Sequence, residues 1–336
     1  MKVLSLPTPS HIANMFAPDD WSALCAEFEV IENSTERQMT AAEVLARIGD
    51  CDAVITGWGS PAFSREALDA APRLKLVAHT AGSVKGLFSD ELVREVLIPR
   101  GINVYSGANG IALNVAEATI GLMILATRRW VEHSAAFSEK KRGGADFSRN
   151  AQFLTGATVG LVSASLVGRH VLRVLQPFEC RILIYDPFLS PEAARSLGAE
   201  LTDLDTLFER SDIVSLHAPK LPATDNMIGA AQLAKLRDGG VFVNTSRGSV
   251  VDHDALLAEC RTGRIVAALD VTEPEPLPPD SEFWTLPNVI LLPHIAGQGR
   301  AGYQRVGEMA LRAMRDCFAG RPVAGAVALD RWETIA

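Results

Sequence analysis

Apolar residues gather along this chain in short runs, and the runs alternate with stretches that have the spacing of amphipathic helices. In the first third, KVLSL, FEVIEN, DAVITG, LKLVAHT and INVYSG read as strands, and WSALCAEF, AAEVLARIG and SREALDAA read as the helices between them. Strand and helix in regular alternation predict parallel strands joined by right-handed crossovers.

A longer helical stretch follows Gly110, from Leu113 to His133, and the hydrophilic stretch from Ser138 to Asn150 reads as an exposed excursion. A second series then begins with TVGLVS, RILIYD, DIVSLH, VFVNTS, IVAALD and NVILLP. Six strands with helical crossovers predict a doubly wound, nucleotide-binding sheet. Past His294 the pattern predicts a helix from Gly302 to Phe318 and a tail that rejoins the first domain.

Composition narrows the class. A chain of 336 residues is long enough for two domains. With 48% hydrophobic and 21% charged residues it can bury substantial cores. The net charge of −8, with no long run of either sign, speaks against a nucleic-acid or anionic-membrane surface. The best apolar run, Ile120 to Ala126, reads as a buried helix too short to span a bilayer. Pro7 and Pro9 interrupt the start, so it lacks the apolar region of a signal peptide. Five cysteines without close pairing fit a reducing compartment and no zinc site, so the expectation is a cytoplasmic protein without a metal.

In open α/β sheets, ligands bind beyond the carboxyl ends of the strands. Those positions are polar here: Ser163 and Ser165, Asp186, His217, Arg247, Asp270 through Glu275, and His294. An Arg can clamp a carboxylate in a bidentate way. A His exchanges a proton near neutral pH, and an adjacent Glu orients it and favours its charged form. Singly, each has a bland alternative. An Arg after a strand is often structural, and Glu275 beside Glu273 in EPEP is by default a solvated loop charge.

Together and in order, VNTSRGSVVD, ALDVTEPEPLP and NVILLPHIAG resemble the signature segments of the D-isomer-specific 2-hydroxyacid dehydrogenases. The resemblance covers most of the chain. It implies an α/β fold of two Rossmann- or flavodoxin-like domains with doubly wound parallel sheets and an active site in the interdomain cleft. Residues 1–108 and 298–336 would form the substrate-binding domain, and 109–297 the NAD-binding domain. It implies Arg247 as the anchor of the substrate carboxylate and carbonyl, His294 as acid/base, and Glu275 as the partner of His294. It places Ala81, Gly82 and Ser83, in the loop from Thr80 to Val84, against the substrate carboxylate; a strand-to-helix turn that simply needs a glycine is the alternative. Where relatives usually carry Asp, this chain has Lys85, for which a solvated surface lysine is the expectation.

The dinucleotide fingerprint GxGxxG would fall on Ser163-Ala164-Ser165-Leu166-Val167-Gly168, where only the last glycine survives. Two outcomes compete. Serine in a left-handed conformation carries strain and bulk, whereas its hydroxyl can donate to phosphate at the helix N-terminus. Arg169 stands ready to add positive charge. Asp186, ending ILIYDP, falls where an acid would bind ribose and repel a 2′-phosphate, so NAD(H) is expected over NADP(H); the alternative is a cap on the turn with Pro187. By resemblance the cofactor site comprises Ser163, Ser165, Leu166, Val167, Gly168, Asp186, His217, Ala218, Thr245, Asp270 and His294, with structural support the expected role of His217. The implied activity is hydride transfer between a small D-2-hydroxy or 2-keto acid and the nicotinamide, in a homodimer joined through the cofactor domain. A phosphoglycerate-type substrate is one choice within that chemistry. A formate dehydrogenase would carry Gln at Glu275. The rival from another class is a non-catalytic NAD-sensing protein on the same scaffold.

Overall fold

Every strand in the computed structural model, which describes residues 1–140 and 152–335, pairs in parallel with its neighbours. The chain divides into two units, Met1–Ile111 with Gln298–Ala336, and Ala112–Gly297.

The first unit holds a five-stranded sheet: β1 (Lys2–Ser5), β2 (Glu29–Ile31), β3 (Ala53–Thr56), β4 (Leu76–His79) and β5 (Asn103–Ser106), in the order β2-β1-β3-β4-β5. Successive residues of a strand face opposite sides, and here both sides are covered. Leu4, Val54 and Val77 join one apolar cluster, whereas Val3, Ile55 and Ala78 join the other. The helix Arg300–Phe318 contributes Val306, Ala310 and Met314 to the second cluster, and Trp332 lies in the first. That helix starts two residues before the expected Gly302.

The second unit holds seven strands: β6 (Thr158–Val162), β7 (Arg181–Tyr185), β8 (Glu200–Leu201), β9 (Ile213–Leu216), β10 (Val241–Asn244), β11 (Val266–Leu269) and β12 (Val289–Leu291). Their order is β12-β11-β10-β9-β6-β7-β8, so the direction of winding reverses between β6 and β9. A ligand crevice belongs at that switch point. The sequence pattern predicts six of these strands; β8 has two residues, too short to leave a period.

Two expectations for the connecting helices need correction. The stretch from Leu113 to His133 is two helices, Ala108–Thr127 and Trp130–Lys140, broken at Arg129, whose φ is +50°. No Gly or Pro marks the break, so the pattern runs through it. The second helix takes up Ser138 to Lys140 of the predicted excursion, and residues 141–150 lie outside those described. Ala108–Thr127 is also long and apolar enough, by length and composition, to cross a membrane, contrary to the expectation from Ile120–Ala126 alone. Just over half (56%) of its most apolar 18-residue window is buried inside the protein, with Ala116, Ile120 and Met123 in a core cluster, as in the core helix of a globular unit.

Candidate active site

At the switch point, β6 ends at Val162 and Ser163 turns the chain with φ +85°, its amide donating to the Tyr185 carbonyl at 2.7 Å. Ser165 behaves differently. Its φ of −59° is unstrained, and it is the N-cap of the helix Leu166–Leu175, with Oγ accepting from the Gly168 amide at 3.3 Å. Only the first of the two serines therefore sits where glycine is the natural residue. Gly168 keeps its place because a Cβ there would stand 2.3 Å from the Ser163 carbonyl oxygen. Among the described residues, the amides of Ser165, Leu166 and Val167 have no protein acceptor, so this ten-residue helix opens with free donors and a positive dipole end. Arg169 is turned away from that role: its Nε donates to the Ala164 carbonyl at 2.9 Å.

Asp186 follows β7 and faces this loop. Its Oδ2 accepts from the Ala164 amide at 2.8 Å and the Ser163 hydroxyl at 3.2 Å, and its Oδ1 accepts from the Phe188 amide at 2.9 Å. It thus caps its own turn and braces the Ser163 loop together. On the other side of the switch, His217 follows β9 with Ala218, both buried. Burial pushes the imidazole of His217 down to about 3, and neither ring nitrogen has a hydrogen-bond partner among the described residues. A neutral, enclosed imidazole is no general base near pH 7. Thr245, after β10, bonds through Oγ1 to Thr119 Oγ1 at 2.8 Å.

The acid/base candidates meet in the same unit. His294 Nδ1 lies 2.7 Å from Glu275 Oε1. His294 has φ +54°, a conformation that costs a non-glycine residue about 1–2 kcal/mol and persists only where its surroundings enforce it. Asp270 does the enforcing. Its carbonyl accepts from the His294 amide at 2.9 Å, and its buried carboxylate accepts from the amides of Ile295 (2.7 Å) and Ala296 (2.9 Å). Both carboxylate oxygens are thereby turned on the His294 loop, which makes Asp270 a brace for the histidine.

Arg247 follows β10, two residues past Thr245. Burial pulls its guanidinium below the ordinary value, and the charge of nearby Glu275 works against that pull. The Arg247 and Glu275 loops touch at Gly248, where a Cβ would stand 2.1 Å from the Thr272 carbonyl oxygen. Glu273 is exposed; its amide donates to His253 Nε2 at 3.1 Å and its charge acts on the same histidine.

Three supporting residues carried no signal in the sequence. His253 Nε2 accepts from the Glu273 amide at 3.1 Å while Nδ1 donates to the Val251 carbonyl at 3.0 Å, so a neutral histidine fixes the backbone two residues before Glu275. Burial lowers the pKa of His253, which favours that acceptor state. Asn114 donates to the Gly297 carbonyl at 2.9 Å, and Thr119 reaches Thr245. All three act across long sequence separations, and only a pairing of distant positions would have flagged them.

In the first unit, the loop after β4 is braced by a polar network. Thr80 Oγ1 donates to the Thr56 carbonyl (2.8 Å) and meets His11 Nε2 (2.9 Å), while His79 Nδ1 meets Thr56 Oγ1 (2.8 Å) and its ring also bonds the Ser83 backbone. Burial, with His11 nearby, pushes His79 down to about 4. Ser106 Oγ donates to the Gly82 carbonyl at 2.6 Å. The amides of Ala81, Gly82, Ser83 and Val84 have no protein acceptor among the described residues. Lys85 is not a free surface lysine: Nζ donates to the Trp332 carbonyl at 2.6 Å.

The chain is similar to known proteins over most of its length. Residues 120–296 match the model of the D-isomer specific 2-hydroxyacid dehydrogenase, NAD binding domain. The chain is 36% identical to a glyoxylate reductase of Thermofilum pendens, over 84% of this chain and 83% of that protein. It is 31% identical to a D-3-phosphoglycerate dehydrogenase of Archaeoglobus fulgidus, over 90% of this chain and 56% of that protein; the chain spans about half the length of such relatives. A crystal structure of a phosphoglycerate oxidoreductase from Rhizobium etli superposes with a TM-score of 0.83 at 28% identity, covering 97% of both chains. The chain belongs to the D-isomer specific 2-hydroxyacid dehydrogenase family.

Proposed function

We propose that this protein interconverts a small D-2-hydroxy acid and its 2-keto acid by hydride exchange with a nicotinamide cofactor, NAD(H) in preference to NADP(H). The observation that carries this reading is the 2.7 Å contact of His294 Nδ1 with Glu275 Oε1, on loops that also bring Arg247 beside Glu275. Glu275 accepts from Nδ1, orients the ring and leaves Nε2 to exchange a proton with the substrate oxygen. The Arg247 guanidinium binds the negative end of the acid. Substrate amide donors come from the loop Ala81-Gly82-Ser83. The cofactor, when bound, supplies the hydride acceptor or donor at C2.

The residues at the switch point fit such a cofactor. The open N-terminus of the helix Leu166–Leu175 suits a pyrophosphate, and Asp186 at the end of β7 suits a ribose diol while repelling a 2′-phosphate. Glyoxylate, hydroxypyruvate and 3-phosphohydroxypyruvate are the substrates to try first, given the named relatives. We also read the protein as a cytoplasmic homodimer; exposed Trp130, Val131 and Phe137 on the helix Trp130–Lys140 of the cofactor unit support self-association.

The test is titration with NADH followed by NADH oxidation against a keto-acid panel. Binding with turnover of at least one acid supports the reading. Binding without turnover favours the sensor alternative, and no binding at millimolar NADH overturns the nicotinamide assignment.

A further inference from the structure

We propose that Trp332 is a positioning residue for the substrate loop, holding its downstream end through Lys85; this rests on the assignment of Ala81, Gly82 and Ser83 to the substrate carboxylate. The upstream half of the loop is tied by strand residues: Thr56, His79 and Ser106 fix Thr80, Gly82 and Ser83. Downstream, the Leu87 amide donates to the Val84 carbonyl at 3.0 Å, and a side-chain tie comes from 247 residues away, where Lys85 Nζ donates to the Trp332 carbonyl and lies 4.4 Å from the centre of the Trp332 ring.

Trp332 is itself immobilised. It is 4% exposed, its ring meets Phe88 edge-on at 6.4 Å, and its Nε1 donates to Asp90 Oδ1 at 2.8 Å. Glu333 adds a surface ion pair with Arg94 at 3.3 Å. The ammonium therefore has one carbonyl and one aromatic face in a fixed place, a pairing that restrains a long side chain and the backbone carrying it. Because the Lys85 amide also donates to Ser83 Oγ at 3.3 Å, moving Lys85 moves Ser83. Amides that must converge on a carboxylate lose affinity when one end of their loop is free.

The experiment compares Trp332→Ala, Lys85→Met and Lys85→Arg with the parent in keto-acid reduction and in NADH titration. Trp332→Ala and Lys85→Met are expected to raise the keto-acid KM about tenfold, with kcat within about twofold and NADH affinity unchanged, the pattern of lost ground-state binding. Lys85→Arg keeps a donor for the Trp332 carbonyl and a cation for its ring, and is expected to stay close to the parent. Should Trp332→Ala fail to fold, Lys85→Met carries the test, since Lys85 is outside the core. A higher KM in Lys85→Met with an unchanged KM in Trp332→Ala would mean that the Trp332 side chain is not what positions Lys85, since alanine keeps the main-chain carbonyl, and would overturn the proposal. So would parallel losses in kcat and NADH affinity, the mark of general damage. A parent that reduces no 2-keto acid overturns the function together with this inference; an active parent with unchanged KM in both variants overturns the inference alone.

Discussion

Ser163 donates to the acid expected to read the ribose: its hydroxyl lies 3.2 Å from Asp186 Oδ2, an oxygen that already accepts from the Ala164 amide. A carboxylate offers about four lone-pair sites, and three are engaged here once Phe188 is included. Glycine at position 163 would leave one more of them for the ribose hydroxyls. The serine also sits at φ +85°, a conformation that costs a side-chain-bearing residue about 1–2 kcal/mol.

Ser163→Gly removes both burdens, so NADH affinity is expected to rise by roughly tenfold, about 1.4 kcal/mol. Ser163→Ala removes the hydroxyl and keeps the strain; its affinity should rise as well, with no gain in stability. Weaker NADH binding by Ser163→Ala would show that the hydroxyl holds Asp186 in its working pose. Ser165→Gly, by contrast, trades a good helix cap for a neutral one and should cost only a few tenths of a kcal/mol. Fluorescence titration and thermal melts separate these cases.

The fate of the two serines shows where reading the sequence stops. Both occupy glycine positions of the fingerprint, yet one is strained and the other is an ordinary N-cap, because local dihedrals depend on what the loop packs against. Apolar runs made every strand but β8 legible, since most parallel strands are buried on both faces and read as largely apolar runs. Arg247, Glu275 and His294 stood out through the three ordered motifs of the resemblance, whereas singly an Arg after a strand and a Glu in EPEP have bland readings. The contacts that brace the loops were not legible: Asp270 turned onto the His294 loop, His253 under the Glu273 amide and, after β4 in the other unit, Trp332 against Lys85 join distant positions, and no pattern within one segment reveals such a pairing.

Cofactor choice is best tested at Asp186 with asparagine. Alanine would strip the buried Ala164 amide of its acceptor, at about 1–3 kcal/mol, and confuse loop damage with selectivity. Asp186→Asn keeps an acceptor and removes the charge that opposes a 2′-phosphate. The preference for NADH over NADPH, measured as a ratio of Kd values, should shrink by about tenfold. An unchanged ratio would place discrimination elsewhere.

His294→Ala should lower turnover by about 10²–10⁴, the usual worth of a general acid/base, with NADH binding retained. Glu275→Gln can still accept from Nδ1 but cannot balance an imidazolium; a loss of about ten- to hundredfold in kcat is expected. Glu273→Gln serves as the control, since its amide and its charge meet His253 and not His294, and equal losses in the two Gln variants would remove Glu275 from its assigned place.

Acid should destabilise the fold through its buried histidines. Burial holds His79 at about 4 and His217 at about 3, against an ordinary value of 6.5. Between those values the unfolded chain binds protons that the native state refuses, so stability rises with pH there and is lost as pH falls below 6.5. Each of the two contributes about 1.4 kcal/mol per pH unit. The urea midpoint should therefore drop clearly between pH 7 and pH 5, and His79→Gln should flatten that slope. A midpoint constant over this range would mean that water reaches both rings.

Gly248 offers the sharpest test of how the site is assembled. It lies between Arg247 and a backbone that leads directly to Glu275, and a Cβ would stand 2.1 Å from the Thr272 carbonyl oxygen, 2.2 Å from its carbon and 2.7 Å from the Glu273 nitrogen. None of these atoms belongs to a flexible side chain, so Gly248→Ala must push the two loops apart. Overpacking of this kind costs about 1–3 kcal/mol in stability, which a thermal melt would register. The displacement acts on the spacing of Arg247 from Glu275 and His294, while the switch point between β6 and β9 is untouched. Keto-acid kcat/KM should accordingly fall by at least about tenfold, with NADH affinity close to the parent value. A folded Gly248→Ala variant with full activity would show that the separation of these loops is not what sets the chemistry, and that Arg247 works independently of the histidine pair.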